Sequence, residues 1–195
     1  MAEADPKPRL VVGMSGASGP QLAIAALQQL RKLDVVETHF VMSDGARRTV
    51  ELEAGLDPDE LRSLADVSYD PNDLGAAIAS GSFPTIGMAV IPCSMRTLGA
   101  IASGNSQGLL TRAADVTLKE RRRLVLVTRE TPLNLIHIRN METVTLAGGV
   151  IFPPVMGFYQ QPRTVDDIVL QIVGRILDQF GIANELSSRW RGASG

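Results

Sequence analysis

The chain has 195 residues, of which 45% are hydrophobic and 21% charged, and its formal net charge is -2. This length and composition predict one globular domain with its own core. The small net charge gives no reason to expect nucleic acid or an anionic membrane as a partner, and a single cysteine, Cys93, excludes an intrachain disulfide.

The residues before Arg9 are polar and lack the apolar segment of a signal peptide. No apolar run is long enough to span a bilayer, so a cytoplasmic protein is expected, and one cysteine fits a reducing compartment. Two histidines and one cysteine without metal-ligand spacing predict no metal site. We expect a single domain at 9–190, with flexible residues at 1–8 and 191–195.

Short apolar runs alternate along the chain with stretches that have apolar residues at helical spacing. Strands are predicted at 10–14, 39–42, 87–91, 124–127 and 150–152. Helices are predicted at 20–33, 46–54, 95–102, 108–120 and 165–180, with a further helix opening at Pro132. Apolar strands that alternate with helices are typical of a parallel sheet covered on both faces, so a doubly wound α/β fold is predicted.

Loops follow the predicted strands at 15–19, 43–45, 92–97, 128–132 and 153–159. In such a sheet, ligands bind beyond the carboxyl ends of the strands, so these loops form the candidate site. Glycines in the first loop allow a ligand to approach the backbone, and the helix that follows offers N–H groups to an anion. The GxxGxxG spacing that starts at Gly13 also occurs in NAD(P)-binding folds and in plain turns, so it identifies no ligand by itself.

Polar residues of the second and third loops have both structural and functional interpretations. Ser43 is suited to capping a helix, and Glu53, taken alone, reads as a solvated helix residue. Ser94 and Thr97, at the start of a predicted helix, could hold a phosphate or the edge of a flavin ring. Cys93 is interpreted as a small packing residue rather than a nucleophile.

The fourth and fifth loops carry charge and an aromatic hydroxyl. Arg129 can bind a phosphate through two hydrogen bonds, and Glu130 can move a proton if its pKa is raised. Alternatively, these two residues form a structural ion pair. The pair Thr131-Pro132 is predicted to cap the next helix. Tyr159 offers an aromatic face and a hydroxyl, and Arg175, between apolar helix positions, requires an anion.

Seven short segments occur here in an order that is characteristic of one family. They are Ser-Gly-Ala-Ser-Gly (15–19), Pro-Cys-Ser-Met-Arg-Thr-Leu (92–98), Arg-Ala-Ala-Asp-Val (112–116), Leu-Lys-Glu-Arg (118–121), Arg-Glu-Thr-Pro (129–132), Asn-Met (140–141) and Gly-Phe-Tyr (157–159). Together they resemble the UbiX-like flavin prenyltransferases from about Arg9 to Trp190. The resemblance implies a Rossmann-like or flavodoxin-like sheet and a homo-oligomer, usually a dodecamer.

The resemblance also implies an activity. Members of this family join a dimethylallyl group from dimethylallyl phosphate to N5 and C6 of reduced FMN. The product, prenylated FMN, is passed to a UbiD-like decarboxylase, and no metal is required.

Roles of individual residues follow from the resemblance position by position. It implies FMN contacts at Gly16, Ala17, Ser18, Ser43, Ser94, Met95, Arg96, Thr97 and Arg129. It implies contacts with the phosphate of the prenyl donor at Lys119, Arg129, Tyr159 and Arg175, and a part in the chemistry for Ser18, Glu53 and Glu130. Such a cationic clamp suits a phosphate that departs as an anion, and either glutamate could accept a proton. The residues of this expected site come from distant loops, and some of them could come from neighbouring subunits.

The sequence also leaves two alternative functions open and departs from the family at one position. A flavin-dependent cysteine decarboxylase of related fold shares the element Asn140-Met141, but this chain lacks a histidine in its early helices and has Pro-Cys-Ser in its third loop. A flavin carrier without chemistry would not need a second phosphate clamp. Leu74 stands where some family members have an aromatic residue beside the prenyl group.

Overall fold

The computed structural model describes residues 6–186 and 192. Its strands are β1 (Arg9–Met14), β2 (Glu37–Met42), β3 (Val67–Tyr69), β4 (Gly87–Cys93), β5 (Arg123–Thr128) and β6 (Val150–Ile151). Its α-helices are α1 (Pro20–Leu33), α2 (Asp44–Thr49), α3 (Pro58–Arg62), α4 (Met95–Ala102), α5 (Leu109–Lys119), α6 (Leu135–Leu146) and α7 (Val165–Asp178). A π-helical turn, Val50–Ala54, continues α2, and 3-10 turns lie at Ala77–Ala79 and Phe158–Gln160.

The predicted domain end at residue 190 and most of the predicted flexible ends lie outside the described residues, because they fall on residues 1–5, 187–191 and 193–195.

All six strands are parallel and stand in the order β3-β2-β1-β4-β5-β6. This confirms the doubly wound α/β fold, and the strand order is that of Rossmann-like domains. The order reverses between β1 and β4, where Leu10 is in register with Gly87 and Val12 with Ala89. Ligands of such sheets bind in the crevice at this switch point.

The central strands β1, β4 and β5 are buried on both faces, which explains why they are apolar almost throughout. Leu10, Val12 and Met14 of β1 pack in a cluster with the buried residues of α1 and α7. Val11, between them, joins the opposite cluster, which includes buried residues of α4 and α5. Burial of this apolar surface is the main force that fixes the strand ends, and with them the loops that follow.

Short elements were missed by the sequence patterns. β3 has only three residues, none of them buried, so it gives no apolar run, and α3 has only five residues. The predicted cap at Thr131-Pro132 is wrong. The helix begins at Leu135 because the side chain of Asn134 accepts the N–H of His137 at 2.9 Å, and asparagine ranks above threonine as an N-cap.

His39 of β2 is a buried titratable residue beside the core. Its Nδ1 lies 2.8 Å from the hydroxyl of Tyr69, and its Nε2 lies 3.2 Å from Oε1 of Glu37. Burial lowers the pKa of His39, and this effect outweighs the opposing attraction of Glu37. The folded chain therefore disfavours the protonated form of this imidazole.

We expect the free energy of unfolding to fall as the pH decreases below about 6.5, the ordinary pKa of histidine. Below that value the unfolded chain binds a proton that the folded chain does not bind at His39 until its own lowered pKa is reached. Urea denaturation between pH 5 and 8 measures this slope. It should become shallower in His39→Gln and be kept in the control His137→Gln, and equal slopes in all three proteins would contradict the expectation.

Candidate functional site

A cavity of about 740 Å³ lies at the carboxyl ends of β1, β2 and β4. Its lining includes members of the first three predicted loops, namely Gly16, Ser43, Ser94, Arg96 and Thr97. The volume lies within the range of small-molecule sites. The structure therefore brings these three loops together at the predicted edge of the sheet.

Two glycines let the first and second loops touch through their backbones. A Cβ atom on Gly16 would lie 2.8 Å from the carbonyl carbon of Gly45, too close for any side chain. Thr49 supports this approach, because its hydroxyl lies 3.0 Å from the carbonyl oxygen of Gly45 and 3.5 Å from that of Gly16. Glycine at these two positions therefore lets the two loops meet where both line the cavity.

Ser15 joins the first loop to the third, and sequence reasoning assigned it no role. It is buried, its hydroxyl donates to the carbonyl of Pro92 at 2.9 Å, and its Oγ accepts the N–H of Ser94 at 2.7 Å. Ser94 in turn caps α4 by accepting the N–H of Thr97 at 3.3 Å. The first N–H groups of a helix lack intrahelical partners and favour an anion, so this end of the cavity suits a phosphate.

Ser18 and Glu53 lie far apart in the sequence and are hydrogen-bonded in the structure. The hydroxyl of Ser18 donates to Oε2 of Glu53 at 2.9 Å, and the N–H of Gly19 donates to the same oxygen at 3.0 Å. The anion at the start of α1 is therefore a carboxylate of the chain itself. Gln21 donates to the backbone carbonyl of Glu53 at 3.2 Å and anchors the π-helical turn that carries it.

Arg129 and Glu130 follow β5 directly and are both exposed. The backbone N–H of Arg129 donates to the carbonyl of Cys93 at 3.1 Å, which holds this loop beside the third one. Oε1 of Glu130 accepts the N–H of Thr131 at 3.0 Å. Within residues 6–186, no ion pair joins Arg129 to Glu130, so the structural alternative has no support there.

Tyr159 and Arg175 lie on the loop after β6 and on α7, and neither lines the cavity. Tyr159 is 54% exposed. Arg175 is exposed rather than enclosed by its apolar neighbours, and its Nε lies 3.8 Å from Oδ2 of Asp178, which supplies the expected anion.

Lys119 lies near the amino end of β5, whereas the cavity lies at the carboxyl ends of the strands. The helix α5 begins at the cavity, where Gly108 and Thr111 are lining residues, and ends at Lys119, just before β5. Ten residue steps along this helix span about 15 Å at the usual rise. Lys119 is ion-paired with Glu120 there, so one chain does not bring Lys119 to its own cavity.

Several lining residues lie outside the loops predicted from the sequence. They include Pro71, Asn72, Asn105 and Gln107, all from segments without a motif. Pro71 and Asn72 follow β3, the strand that the patterns missed, and the carbonyl of Pro71 accepts the N–H of Leu109 at 2.8 Å. Finding β3 would have been the signal for this wall of the cavity.

Cys93 is fully buried at the end of β4, and burial raises the pKa of its thiol. We expect the native protein to show no reaction with a thiol-specific chromogenic reagent, and one equivalent per chain after unfolding in guanidinium, because only the thiolate reacts. Cys93→Ala should keep the activity of the protein to within about threefold, since no reacting group is removed. Rapid labelling of the native protein would contradict this.

Among the residues that the structure describes, no group of three or more His, Cys, Asp or Glu side chains could hold a metal ion. In the same part of the chain, no helix combines the length and apolar composition needed to cross a bilayer.

Comparison with known proteins identifies the family. The family model "Flavoprotein" matches residues 1–177. A probable UbiX-like flavin prenyltransferase from Streptomyces sp. (strain D7) is 54% identical over 184 residues, which are 94% of this chain and 92% of that protein. The chain belongs to the UbiX-like flavin prenyltransferase family. The predicted resemblance is thus confirmed over nearly the full length.

Solved structures of this family have the same fold. The crystal structure of AnUbiX (PadA1) in complex with FMN and dimethylallyl pyrophosphate matches with a TM-score of 0.93 at 52% identity, over 95% of this chain and 98% of that one. A dodecameric FMN-dependent UbiX-like decarboxylase from Escherichia coli O157:H7 matches with a TM-score of 0.92 at 52% identity, over 94% and 100% of the two chains. The peptidyl-cysteine decarboxylase EpiD is only 18% identical, with a TM-score of 0.60, and shares the fold alone.

Proposed function

We propose that this chain is a flavin prenyltransferase that joins the dimethylallyl group of dimethylallyl phosphate to N5 and C6 of reduced FMN. The prenylated FMN it forms serves a UbiD-like decarboxylase. The observation that carries the proposal is the 54% identity to a flavin prenyltransferase over nearly the whole chain. The single cysteine fits a reducing compartment and supports the cytoplasm.

The cavity fits FMN in size and in chemistry. Its volume of about 740 Å³ accommodates a flavin nucleotide, and the N-terminus of α4, with Ser94, Arg96 and Thr97, suits a phosphate. Gly16 and Ser43 line the adjoining wall. Ala17 and Met95 follow lining residues in the sequence, and the backbone N–H of Arg129 donates to the carbonyl of Cys93, which precedes Ser94. Reduced FMN, when bound, supplies the electron-rich atoms to which the prenyl group is attached.

Glu53 and Ser18 are the proposed proton-handling pair. Ring closure requires that a proton leave, and a carboxylate hydrogen-bonded to a hydroxyl can receive it through that hydroxyl. The 2.9 Å contact holds Ser18 oriented toward Oε2 of Glu53. Glu130, exposed beside Arg129, is the second candidate acceptor.

Arg129, Tyr159, Arg175 and Lys119 are the proposed clamp for the donor phosphate, because cations and a hydroxyl stabilise the charge that develops as it departs. One chain does not assemble this clamp, since Lys119 lies near the amino end of β5 and the other residues follow the carboxyl ends of strands or lie on α7. The proposed site therefore includes Lys119 of a neighbouring copy.

The surface of α6 supports such an assembly. Its side chains Leu135, Ile136, Ile138 and Leu146 are between 50% and 82% exposed, although large apolar side chains that cluster on one surface are normally covered by a partner. We therefore propose a homo-oligomer, and the dodecameric E. coli relative supports twelve copies.

Release of inorganic phosphate tests the proposed reaction. Enzyme given dimethylallyl phosphate should release one phosphate for each reduced FMN consumed, and none with oxidised FMN, whose ring is electron-poor. A flavin carrier would release none under either condition. A cysteine decarboxylase would instead release carbon dioxide from a peptide ending in cysteine, so that result without phosphate release would overturn the proposal.

A further inference from the structure

We infer that Gln171 is a positioning residue that fastens the turn carrying Tyr159 to α7, the helix that carries Arg175. This inference rests on the proposed function, because it assigns Gln171 to the donor-phosphate clamp. Gln171 does not touch the donor in this view. It sets where Tyr159 stands relative to Arg175.

The contacts of Gln171 join one side chain to one backbone position. Its Oε1 accepts the N–H of Gly157 at 3.2 Å, and its Nε2 donates to the carbonyl oxygen of Gly157 at 3.0 Å. Both polar ends of the amide are therefore bonded to the residue that precedes the 3-10 turn Phe158–Gln160. Tyr159 is the middle residue of that turn.

Gly157 permits this contact because it has no side chain. A Cβ atom at this position would lie 2.7 Å from Nε2 of Gln171 and 3.0 Å from Cε1 of Tyr159. Its φ of -103° is open to any residue, so the requirement for glycine comes from the close approach of Gln171 and Tyr159 alone. The three residues form a single packed junction.

Gln171 supplies the middle attachment of a long loop. The loop between β6 and α7 is tied at its start by the N–H of Phe152, which donates to the carbonyl of Leu126 at 2.8 Å. It is tied at its end by Asp167, whose carboxylate accepts the N–H groups of Arg163 and Thr164 at 2.8 and 2.9 Å. Between these points Gln171 holds the turn, and Val155, Met156 and Phe158 around it are exposed.

The position of Gln171 in α7 explains its effect on the clamp. Gln171 is buried at 5% exposure, next to Ile172 and Val173 of the core, so it moves only with the helix. Arg175 follows four residues later, about 6 Å along the helix axis. A rigid helix and a fixed turn thus place the Tyr159 hydroxyl and the Arg175 guanidinium at a defined separation.

The test compares Gln171→Met, which keeps the length of the side chain and removes both hydrogen bonds, with the wild-type protein. We expect the KM for dimethylallyl phosphate to rise about tenfold, with kcat changed less than about threefold, because a misplaced Tyr159 weakens binding of donor and transition state alike. Amide exchange at Gly157 should become faster in the same variant without any substrate, because its N–H loses its acceptor.

Three further variants separate positioning from general loss of stability. Gln179→Met makes the same chemical change at the end of α7 and should leave the KM unchanged. Val173→Ala removes core volume from the same helix, so it should lower the melting temperature without raising the KM. Gly157→Ala disturbs the junction from the other side, and its effect on the KM should not add to that of Gln171→Met.

The outcomes distinguish this inference from the proposed function. An active wild-type enzyme whose donor KM is unchanged in Gln171→Met would overturn the inference alone, as would an equal rise of the KM in Val173→Ala. A wild-type protein that binds FMN and transfers no prenyl group would overturn both. If Gln171→Met does not fold, Gly157→Ala decides by the same KM criterion.

Discussion

Glu53→Gln is expected to lower kcat for prenyl transfer by about 10²–10⁴-fold, the usual contribution of a positioned proton-transfer group. Glutamine keeps an oxygen that can accept from Ser18 and Gly19, which are hydrogen-bonded to Oε2 of Glu53 in the structure. It removes the carboxylate that is proposed to receive the proton. FMN affinity, measured by fluorescence titration, should change less than about threefold, because the cavity lining is unaltered.

A matched control and a partner variant sharpen this test. Glu51→Gln makes the same change in the same π-helical turn, at an exposed position, and should leave kcat unchanged. Ser18→Ala should reduce kcat to a similar extent, and the double variant should be little worse than either single one, because the two residues act as a unit. Normal kcat in Glu53→Gln, together with a large loss in Glu130→Gln, would move the proton-accepting role to Glu130.

Mixed oligomers of two impaired variants are expected to regain activity at low donor concentration. Lys119→Ala should raise the KM for dimethylallyl phosphate by about tenfold to a hundredfold, the effect of losing a hydrogen bond to a charged group. In an oligomer formed from Lys119→Ala and Glu53→Gln chains, some sites combine an intact Glu53 with an intact Lys119 from another chain. If each site draws these residues from two chains at random, about a quarter of the sites are complete.

Steady-state assays of co-refolded chains at low donor concentration measure this recovery. Glu53→Gln mixed with Ser18→Ala is the control, because those two residues are bonded within one chain and no mixed site contains both intact. Activity of the Lys119→Ala mixture no higher than that of this control would contradict a site shared between chains.

The sequence predicted the sheet and the location of the site because both follow from simple patterns. Apolar runs identify strands that are buried on both faces, and parallel strands direct their following loops to one edge. β3 gave no such pattern, since it is an outer strand of the sheet and none of its three residues is buried. The cavity wall formed by Pro71 and Asn72, which follow β3, was therefore not predicted either.

The relation between Glu53 and Ser18 could not be predicted from periodicity. The sequence predicted one α-helix over 46–54, in which Glu53 reads as a solvated residue. The structure changes from α-helix to π-helix at Val50, and the wider turn alters the direction of each side chain that follows. Gly19 and Gln21, at the start of α1, then hold Glu53 in place by donating hydrogen bonds to its carboxylate and its backbone carbonyl.

Lys119 shows a different limit of sequence reasoning. A motif gives the order of residues along the chain, and the resemblance grouped Lys119 with Arg129 and Tyr159. The fold places Lys119 near the amino ends of the strands, because α5 runs antiparallel to the two strands that it joins. Only an assembly of chains reconciles the motif with the fold, and the exposed apolar side chains of α6 offer the surface for it.

The mass of the flavin after reaction tests the central claim most directly. The protein is incubated anaerobically with reduced FMN and dimethylallyl phosphate, and the bound flavin is released and analysed by mass spectrometry. The proposed function predicts a flavin heavier than FMN by one prenyl unit, formed only when donor and reductant are both present. Recovery of FMN of unchanged mass from a protein that has bound both compounds would contradict it.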